Sequence, residues 1–210
     1  MRYPTDHKES TRQQLLEDSG RHVKKHGFAA SGVDAIAAAA GVTSGALYKH
    51  FAGKSDLFAA VVAAELERTA SRFAAVQAGD RAAAKRALAS YLSPAHVRAA
   101  DAGCPLPALT PEITRADVKV REAFQAGLVG VHAEVEKMTG SKTSAWALIA
   151  ECVGAVMLAR ALPDDSHRAD LLGAVASDGT ARLAAPKRPP KARAQPAKPR
   201  SGKPGKERKL

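Results

Sequence analysis

The 210-residue sequence has little cysteine, few aromatic residues and no long apolar run. Cys104 and Cys152 are the two cysteines, and their spacing fits neither a disulfide framework nor a metal site, so we expect a reducing, cytoplasmic environment. Aromatic residues make up 4% of the chain, which disfavours a β-sandwich because strands are enriched in them. No segment reaches the roughly 18 uncharged apolar residues of a membrane span. The N-terminus has no apolar signal core, so the sequence predicts neither membrane insertion nor export.

Motifs for enzymatic chemistry are also missing from the sequence. We find no Gly-rich phosphate loop, no nucleophile elbow and no His, Asp and Glu set at metal-ligand spacing. We therefore expect no catalytic residue, no bound metal and no cofactor.

The sequence does contain abundant alanine and 45% hydrophobic residues, a composition typical of closely packed helices. We predict an all-α fold in three parts. Residues 9–69 form an N-terminal three-helix domain with a helix-turn-helix motif at 32–51, residues 70–180 form a second helical domain, and residues 184–210 form a disordered basic tail.

The motif at 32–51, GVDAIAAAAGVTSGALYKHF, contains two short helical patterns on either side of a tight turn. Ser31 and Asp34 have the spacing of a capping box, which predicts that their side chains cap the first helix. Gly41 predicts the end of that helix, because glycine tolerates a positive φ. Thr43 is the predicted cap of a second helix of about two turns.

The second helix has a buried side, marked by Leu47, and a face of different character. That face carries small residues first and then aromatic and cationic ones: Ser44, Gly45, Ala46, Tyr48, Lys49 and His50. Small residues allow a helix N-terminus to approach base edges in the major groove, while Tyr, Lys and His suit phosphates. An ordinary helical hairpin would show the same spacing.

Taken with its flanks, the segment from Thr11 to about Ala63 resembles the DNA-binding domain of the TetR family of bacterial repressors. The matching residues are Thr11-Arg12, Leu15, Gly27-Phe28, Ile36-Ala37, Ala40-Gly41-Val42-Thr43, Gly45-Ala46-Leu47-Tyr48, His50-Phe51, Lys54 and Leu57-Phe58. The resemblance implies a sequence-specific transcriptional regulator, a repressor that binds double-stranded operator DNA as a homodimer. It places Thr43, Ser44, Gly45 and Ala46 near base edges. It also implies that phosphates are held by Tyr48, Lys49, His50 and Lys54.

Some positions depart from the family pattern. Gly20 and His22 stand on the first helix where the family usually has larger apolar residues, and Gly32 occupies a common Ser/Thr position. Ser44 and Asp34 stand where relatives often have longer or basic base-reading side chains. Because of these departures, the resemblance does not indicate which operator sequence the protein binds, although the implied function is unaffected.

The second domain is predicted to begin within a long fourth helix that Lys54 opens. Shorter helices follow, with a turn around residues 106–109. Residues 103–112 resemble a segment that lines a ligand cavity in one subgroup of the family, which implies a pocket for a small-molecule inducer. The pocket residues that we predict are Cys104, Leu106, Leu109, Phe124 and Trp146. A proline-punctuated connector packed on the core is the alternative for this segment.

Two long helices are predicted near the C-terminal end of this domain. The first has one apolar stripe, formed by Val120, Phe124, Leu128, Val131, Val135 and Met138, and ends at Gly140. The second, at about 143–162, is apolar on several faces, so it requires cover from a core and from a partner. The family resemblance implies that residues 114–162 form a four-helix dimer interface. Glu151 within it is expected to face an arginine such as Arg160 or Arg121 across the dimer, or solvent at the rim, with a ligand contact as the alternative. A short last helix is predicted at 164–176.

The net charge of +11 is concentrated in the tail. Residues 186–210 contain ten Lys/Arg and one Glu, a charge of +9, which leaves +2 for residues 1–185. The tail therefore predicts sequence-independent attraction to phosphates. An alternative function is a nucleoid-type architectural protein that binds DNA mainly through this tail; a solubilising extension without a function is the other alternative.

Overall fold

A computed structural model describes residues 5–183 of the chain, with side chains from residue 10 onward. These residues form helices and no β-strand, which confirms the all-α prediction. The predicted tail at 184–210 lies outside the described residues. The ten helices are α1 (Thr5–His26), α2 (Val33–Ala39), α3 (Ser44–Tyr48), α4 (Lys54–Ala74), α5 (Arg81–Tyr91), α6 (Pro94–Arg98), α7 (Leu106–Ile113), α8 (Val118–Thr139), α9 (Lys142–Ala161) and α10 (Asp165–Arg182).

The helices pack around one continuous core. α1 contacts α4 and α2, and α2 contacts α3; α8 lies along α4, and α9 contacts both α8 and α10. The approach of α4 and α8 is close at Gly127, where an added Cβ would lie 2.7 Å from the Leu66 side chain. α4 runs through the boundary that we predicted at residue 69, so the two domains share this helix.

The stripe predicted on α8 has the expected orientation. Val120, Val131, Val135 and Met138 are buried, and Phe124 and Leu128 are half-buried against the core. Gly140 ends the helix with a φ of 73°, a left-handed conformation that favours glycine.

Two predictions in the second domain were wrong in extent. The segment around 106–109 is the start of the eight-residue helix α7 rather than a turn, because Pro107 stands in the first helical turn, where no backbone N–H is needed. α10 continues to Arg182 instead of stopping near residue 176. In this extension Gly179 is buried, and the Arg81 guanidinium donates to the Thr180 carbonyl oxygen over 2.8 Å.

α9 is long and apolar enough, by length and composition, to cross a membrane, and 33% of its apolar window is buried inside the fold. Contacts with α7, α8 and α10 account for part of that composition, and Trp146, Met157 and Leu158 remain exposed. Within the protomer, Glu151 of α9 pairs with Arg182 of α10 at 2.8 Å. This ion pair uses Glu151 Oε1, whereas Glu151 Oε2 is buried without a hydrogen-bond partner among the described residues.

Candidate nucleic-acid interface

The turn between α2 and α3 has the geometry that its sequence predicts. Gly41 has a φ of 69°, and the amides of Gly41 and Val42 donate to carbonyls in the last turn of α2. Thr43 is the N-cap of α3, because its hydroxyl oxygen accepts from the Ala46 amide over 3.2 Å. Leu47 is 1% exposed, and it fixes the buried side of a helix only five residues long.

The predicted capping box at the start of α2 was wrong. Gly32 is the N-cap, and no side chain caps α2 there. The Ser31 hydroxyl donates instead to the Gly27 carbonyl oxygen over 2.6 Å and accepts from His22 Nε2 at 3.1 Å. Asp34 accepts a hydrogen bond from the Ser44 hydroxyl. Its carboxylate thus joins the two helices of the motif rather than capping the first.

The predicted DNA-contacting residues lie together on α3 and the residues beside it. Thr43, Gly45, Tyr48 and Lys49 are exposed, with Tyr48 51% exposed, whereas Ser44, Ala46 and His50 are half-buried. Small residues lie at the N-terminal end of α3 and the phenol and ammonium groups at its C-terminal end, which is the order needed for bases followed by phosphates. Their roles at DNA remain predictions.

Lys54 is separated from this group by the loop that leads into α4. It is the first residue of α4, where an ammonium group opposes the helix dipole. Its Nζ lies 4.9 Å from the centroid of the Phe28 ring, and this cation–π contact offsets the unfavourable position. Phe28 itself stacks on Phe58 with the ring centroids 3.9 Å apart. Lys54 therefore has a structural partner in addition to its predicted phosphate.

A buried ion pair, which sequence spacing did not reveal, fixes α1 against α4. Lys24 Nζ lies 2.8 Å from Glu65 Oε2 and donates to the Gly103 carbonyl oxygen over 3.0 Å. Both charged side chains are 4% exposed, and Arg68 also pairs with Glu65. Burial lowers the pKa of Lys24, and the attraction of Glu65 offsets this only in part. Gly20 makes room for the Glu65 carboxylate, since an added Cβ would lie 2.1 Å from its Oε1, which explains this departure from the family pattern.

A second carboxylate joins the N-terminal helices to α7. Glu112 accepts from the amide of Phe28 over 3.1 Å and from the amide of Ala29 over 2.6 Å. These amides follow the end of α1, where the chain turns with Gly27 at a φ of 82°. Glu112 is 84 residues from Phe28 in sequence, so no local pattern could have identified the contact.

A small apolar cavity lies in the second domain. This inner cavity has a volume of about 30 Å³ and is lined by side chains of α4, α5, α7, α8 and α9 together with Cys104. Of the five residues predicted at a ligand pocket, Cys104 and Leu106 line it. Leu109 is fully buried in the core, Phe124 is half-buried on α8, and Trp146 is 44% exposed and stacks on His132. These three residues do not line the inner cavity, and the ligand-contacting role of all five residues stays a prediction.

The inner cavity contains protonated thiols rather than thiolates. Burial raises the pKa of Cys104, and it raises the pKa of Cys152 to about 12. Within residues 5–183, no group of three or more His, Cys, Asp or Glu side chains is placed to hold a metal ion.

Comparison with known proteins covers both parts of the chain. The family model of bacterial regulatory proteins of the tetR family matches residues 20–61. Over 53 residues the chain is 43% identical to the HTH-type transcriptional regulator AcrR of Shigella flexneri, a match that covers 25% of this chain and 25% of that relative. The similarity in sequence therefore spans about a quarter of the length of the curated relative.

Solved structures extend the similarity in fold beyond that segment. The chain resembles E. coli NemR in its reduced form, with a TM-score of 0.67 at 20% identity, over 85% of this chain and 100% of that one. It also resembles a TetR transcription regulator from Haloarcula marismortui, with a TM-score of 0.62 at 18% identity, over 84% and 100% of the two chains. The chain is therefore similar to the tetR family of bacterial regulatory proteins in sequence over residues 20–61, and it shares the fold of TetR-type regulators over most of its length.

Proposed function

We propose that the protein is a sequence-specific DNA-binding transcriptional repressor that binds its operator as a homodimer in the cytoplasm and leaves it when a small molecule binds. The observation that carries this proposal is the exposed face of α3. Thr43, Gly45, Tyr48 and Lys49 are exposed there while Leu47 is buried, so the helix presents its polar face on a fixed support. A helix with small residues first and a phenol and an ammonium group last suits entry into the major groove.

A second copy of the chain is the partner that best fits the uncovered face of α9. Trp146, Met157 and Leu158 are 44%, 37% and 59% exposed, and Ala150 and Gly154 lie between them at helical spacing. Exposed apolar side chains on one face, with small residues among them, suit close packing against another helix. Such a dimer would carry two copies of α3, which must lie roughly 34–36 Å apart to reach successive major grooves.

Release by a ligand follows from the same arrangement. A small molecule that binds better to a conformer with another spacing of the two α3 helices would lower operator affinity. The effect is limited to the difference between its affinities for the two conformers.

Selection of bound sites from random double-stranded DNA tests the DNA-binding part of the proposal. We expect a defined, two-fold related site. Ser44→Arg should change the preferred sequence, because it replaces a residue near the predicted base edges. Tyr48→Phe and Lys54→Ala should weaken binding without changing the preferred sequence, because phosphate contacts position the protein and do not specify bases. Lys85→Ala, on the exposed side of α5, is the matched control.

The same selection distinguishes the alternative function. A nucleoid-type protein that depends on its basic tail would show no sequence preference, and removing residues 186–210 would abolish most of its binding. A sharp preference that persists in the shortened chain would exclude that function.

Sedimentation tests the dimer. Leu158→Arg should yield monomers with an unchanged helical spectrum, because this side chain is 59% exposed in the protomer and contributes little to its core. Ala89→Arg on the exposed side of α5 is the control and should remain dimeric. A Leu158→Arg protein that sediments as a dimer would remove α9 from the proposed interface.

A further inference from the structure

The inner cavity lies against a second, larger space. This outer pocket has a volume of about 510 Å³, opens to solvent and is bounded by α4, α5, α6 and the segment that leads to Cys104. Thr69, Phe73, Tyr91 and Cys104 line both spaces and therefore form the partition between them. The inner cavity alone has room for about two water molecules, whereas the outer pocket is in the range of ligand sites, roughly 300–1,000 Å³.

The partition contains a polar group that the fold leaves unsatisfied. The Tyr91 hydroxyl is buried and has no hydrogen-bond partner of ordinary geometry. Its polar neighbour is the Cys104 thiol, which is a weak partner. The other side chains around the inner cavity are almost all aliphatic, such as Leu88, Val135 and Leu148. A molecule entering from the outer pocket would therefore pass a hydroxyl donor and reach an apolar space.

The outer pocket has a positive charge without a counter-charge. Arg72 lines it, and no Asp or Glu side chain does. Among the described residues Arg72 has no ion pair; its guanidinium reaches only the Ala102 carbonyl oxygen, at 3.4 Å. The hydroxyl-bearing residues Ser90 and Ser93 line the same pocket.

The protonation of His96 is affected by burial and by the positive charges near it. Cys104 N donates to His96 Nε2 over 3.0 Å, so the ring proton is on Nδ1 and is donated to the Tyr91 carbonyl oxygen over 2.6 Å. Burial lowers the pKa of His96, and the charges of Arg160, Arg72 and Lys24 lower it further. The imidazole is therefore neutral at pH 7, and Arg72 is the one charged side chain among the residues that line the outer pocket.

We propose that the two spaces together bind an amphipathic organic anion, whose carboxylate lies at Arg72 and whose apolar chain passes between Phe73 and Tyr91 into the inner cavity. The inference rests on the proposed function in one respect, since it gives the chemical class of the small molecule that releases the protein from DNA. The chain must displace the partition, because the inner cavity is too small for an alkyl group as it stands. Phe73 belongs to α4 and Tyr91 to α5, so binding would move two helices apart.

Calorimetric titration of the full-length protein with sodium alkanoates from butanoate to octanoate tests the site. Each added methylene that enters the inner cavity should tighten binding about fourfold. Octan-1-ol, which has the same chain without the charge, should bind at least about tenfold more weakly than octanoate. Arg72→Gln should weaken octanoate by a similar factor and leave octan-1-ol unchanged. Arg86→Gln, an exposed arginine of α5 that lines neither space, is the matched control and should bind both as the parent protein does.

Three outcomes would overturn the proposal. Octanoate and octan-1-ol binding equally well would mean that the site takes neutral molecules. Equal affinities for butanoate and octanoate would mean that the chain stays outside the inner cavity. An unchanged octanoate affinity in Arg72→Gln would place the carboxylate elsewhere.

DNA binding is measured separately on the same samples, so the two proposals can fail independently. A protein that selects a defined DNA site but binds no alkanoate refutes the ligand proposal and leaves DNA recognition intact. A protein that binds octanoate as expected but shows no DNA preference supports the ligand site and refutes the proposed function.

Discussion

For Gly20→Ala, helix propensity predicts a more stable protein, whereas the tertiary structure predicts a less stable one. Within a helix, replacing glycine by alanine normally stabilises a protein by roughly 0.5–1 kcal/mol, and Gly20 lies deep inside the 22-residue α1. At this position, however, the new Cβ would lie 2.1 Å from Glu65 Oε1. The carboxylate must therefore move away from Lys24, which is 4% exposed and has no other carboxylate partner among the described residues.

The magnitude follows from these two contributions. Breaking a buried ion pair costs about 3–5 kcal/mol, because the remaining charge stays buried without its partner. Subtracting the helix-propensity gain of about 1 kcal/mol leaves a destabilisation of about 2–4 kcal/mol. For a chain of this length, that would lower the melting temperature by roughly 4–16 °C.

Urea unfolding followed by circular dichroism, at one fixed protomer concentration, measures this change. Gly173→Ala is the matched control, since Gly173 is an exposed glycine inside α10 with nothing within 4 Å of an added Cβ. It should stabilise the protein by roughly 0.5–1 kcal/mol. In a background with Lys24→Met and Glu65→Ala, the carboxylate is absent and Gly20→Ala should also become stabilising. If Gly20→Ala stabilises the parent protein as Gly173→Ala does, the ion pair does not occupy this site.

Three further predictions concern the Glu112 contact between α7 and the N-terminal helices, the half-buried His96, and the tail at residues 186–210. Glu112→Gln should destabilise by about 1–2 kcal/mol in the same urea assay, because the Phe28 and Ala29 amides lose a charged acceptor, whereas the exposed Glu122→Gln should be neutral within error. Because the pKa of His96 is lowered in the folded state, its contribution to stability is present above pH 6.5 and is lost as the pH falls below that value. His96→Asn should therefore flatten the decline in the free energy of unfolding between pH 7 and pH 5. An equal decline in both proteins would contradict this assignment. Removing residues 186–210 deletes a charge of +9; it should reduce the salt slope of DNA binding by roughly two to five units per dimer, at about 0.9 per phosphate contact, and weaken operator and random DNA alike, whereas an unchanged slope would make the tail passive.

Features that depend on neighbouring residues could be predicted from the sequence. The α8 stripe, the ends of helices at Gly41 and Gly140, and the cap at Thr43 follow from backbone preferences and helical periodicity. The exposed face of α3 could be predicted in the same way, because Leu47 is the apolar residue of this helix that packs into the core and the opposite face is therefore exposed.

Features that depend on partners far along the chain could not be predicted. Ser31 and Asp34 have capping-box spacing, but tertiary partners, His22 for the serine and Ser44 for the aspartate, take their side chains instead. Glu65 meets Lys24 across 41 residues, and nothing in the local sequence distinguishes it from an exposed glutamate of α4. Trp146 lies on an outer face and not at the inner cavity, and the sequence could not show this because an apolar residue at helical spacing suits a cavity, a core or an outer face equally well.

The contact between Gly127 and Leu66 divides α4 into two arms. With a rise of about 1.5 Å per residue, Lys54 lies about 18 Å from Leu66 on one side, and Phe73 lies about 10 Å from it on the other. We infer that a tilt of α4 would pivot where Leu66 approaches the α8 backbone most closely, at Gly127. A displacement of 1 Å at Phe73 would then appear as about 1.7 Å, in the opposite direction, at the end of α4 that adjoins the proposed DNA-binding helices. Gly127→Ala would shift the pivot. It should therefore change how strongly the small molecule weakens DNA binding, although residue 127 contacts neither the small molecule nor the DNA.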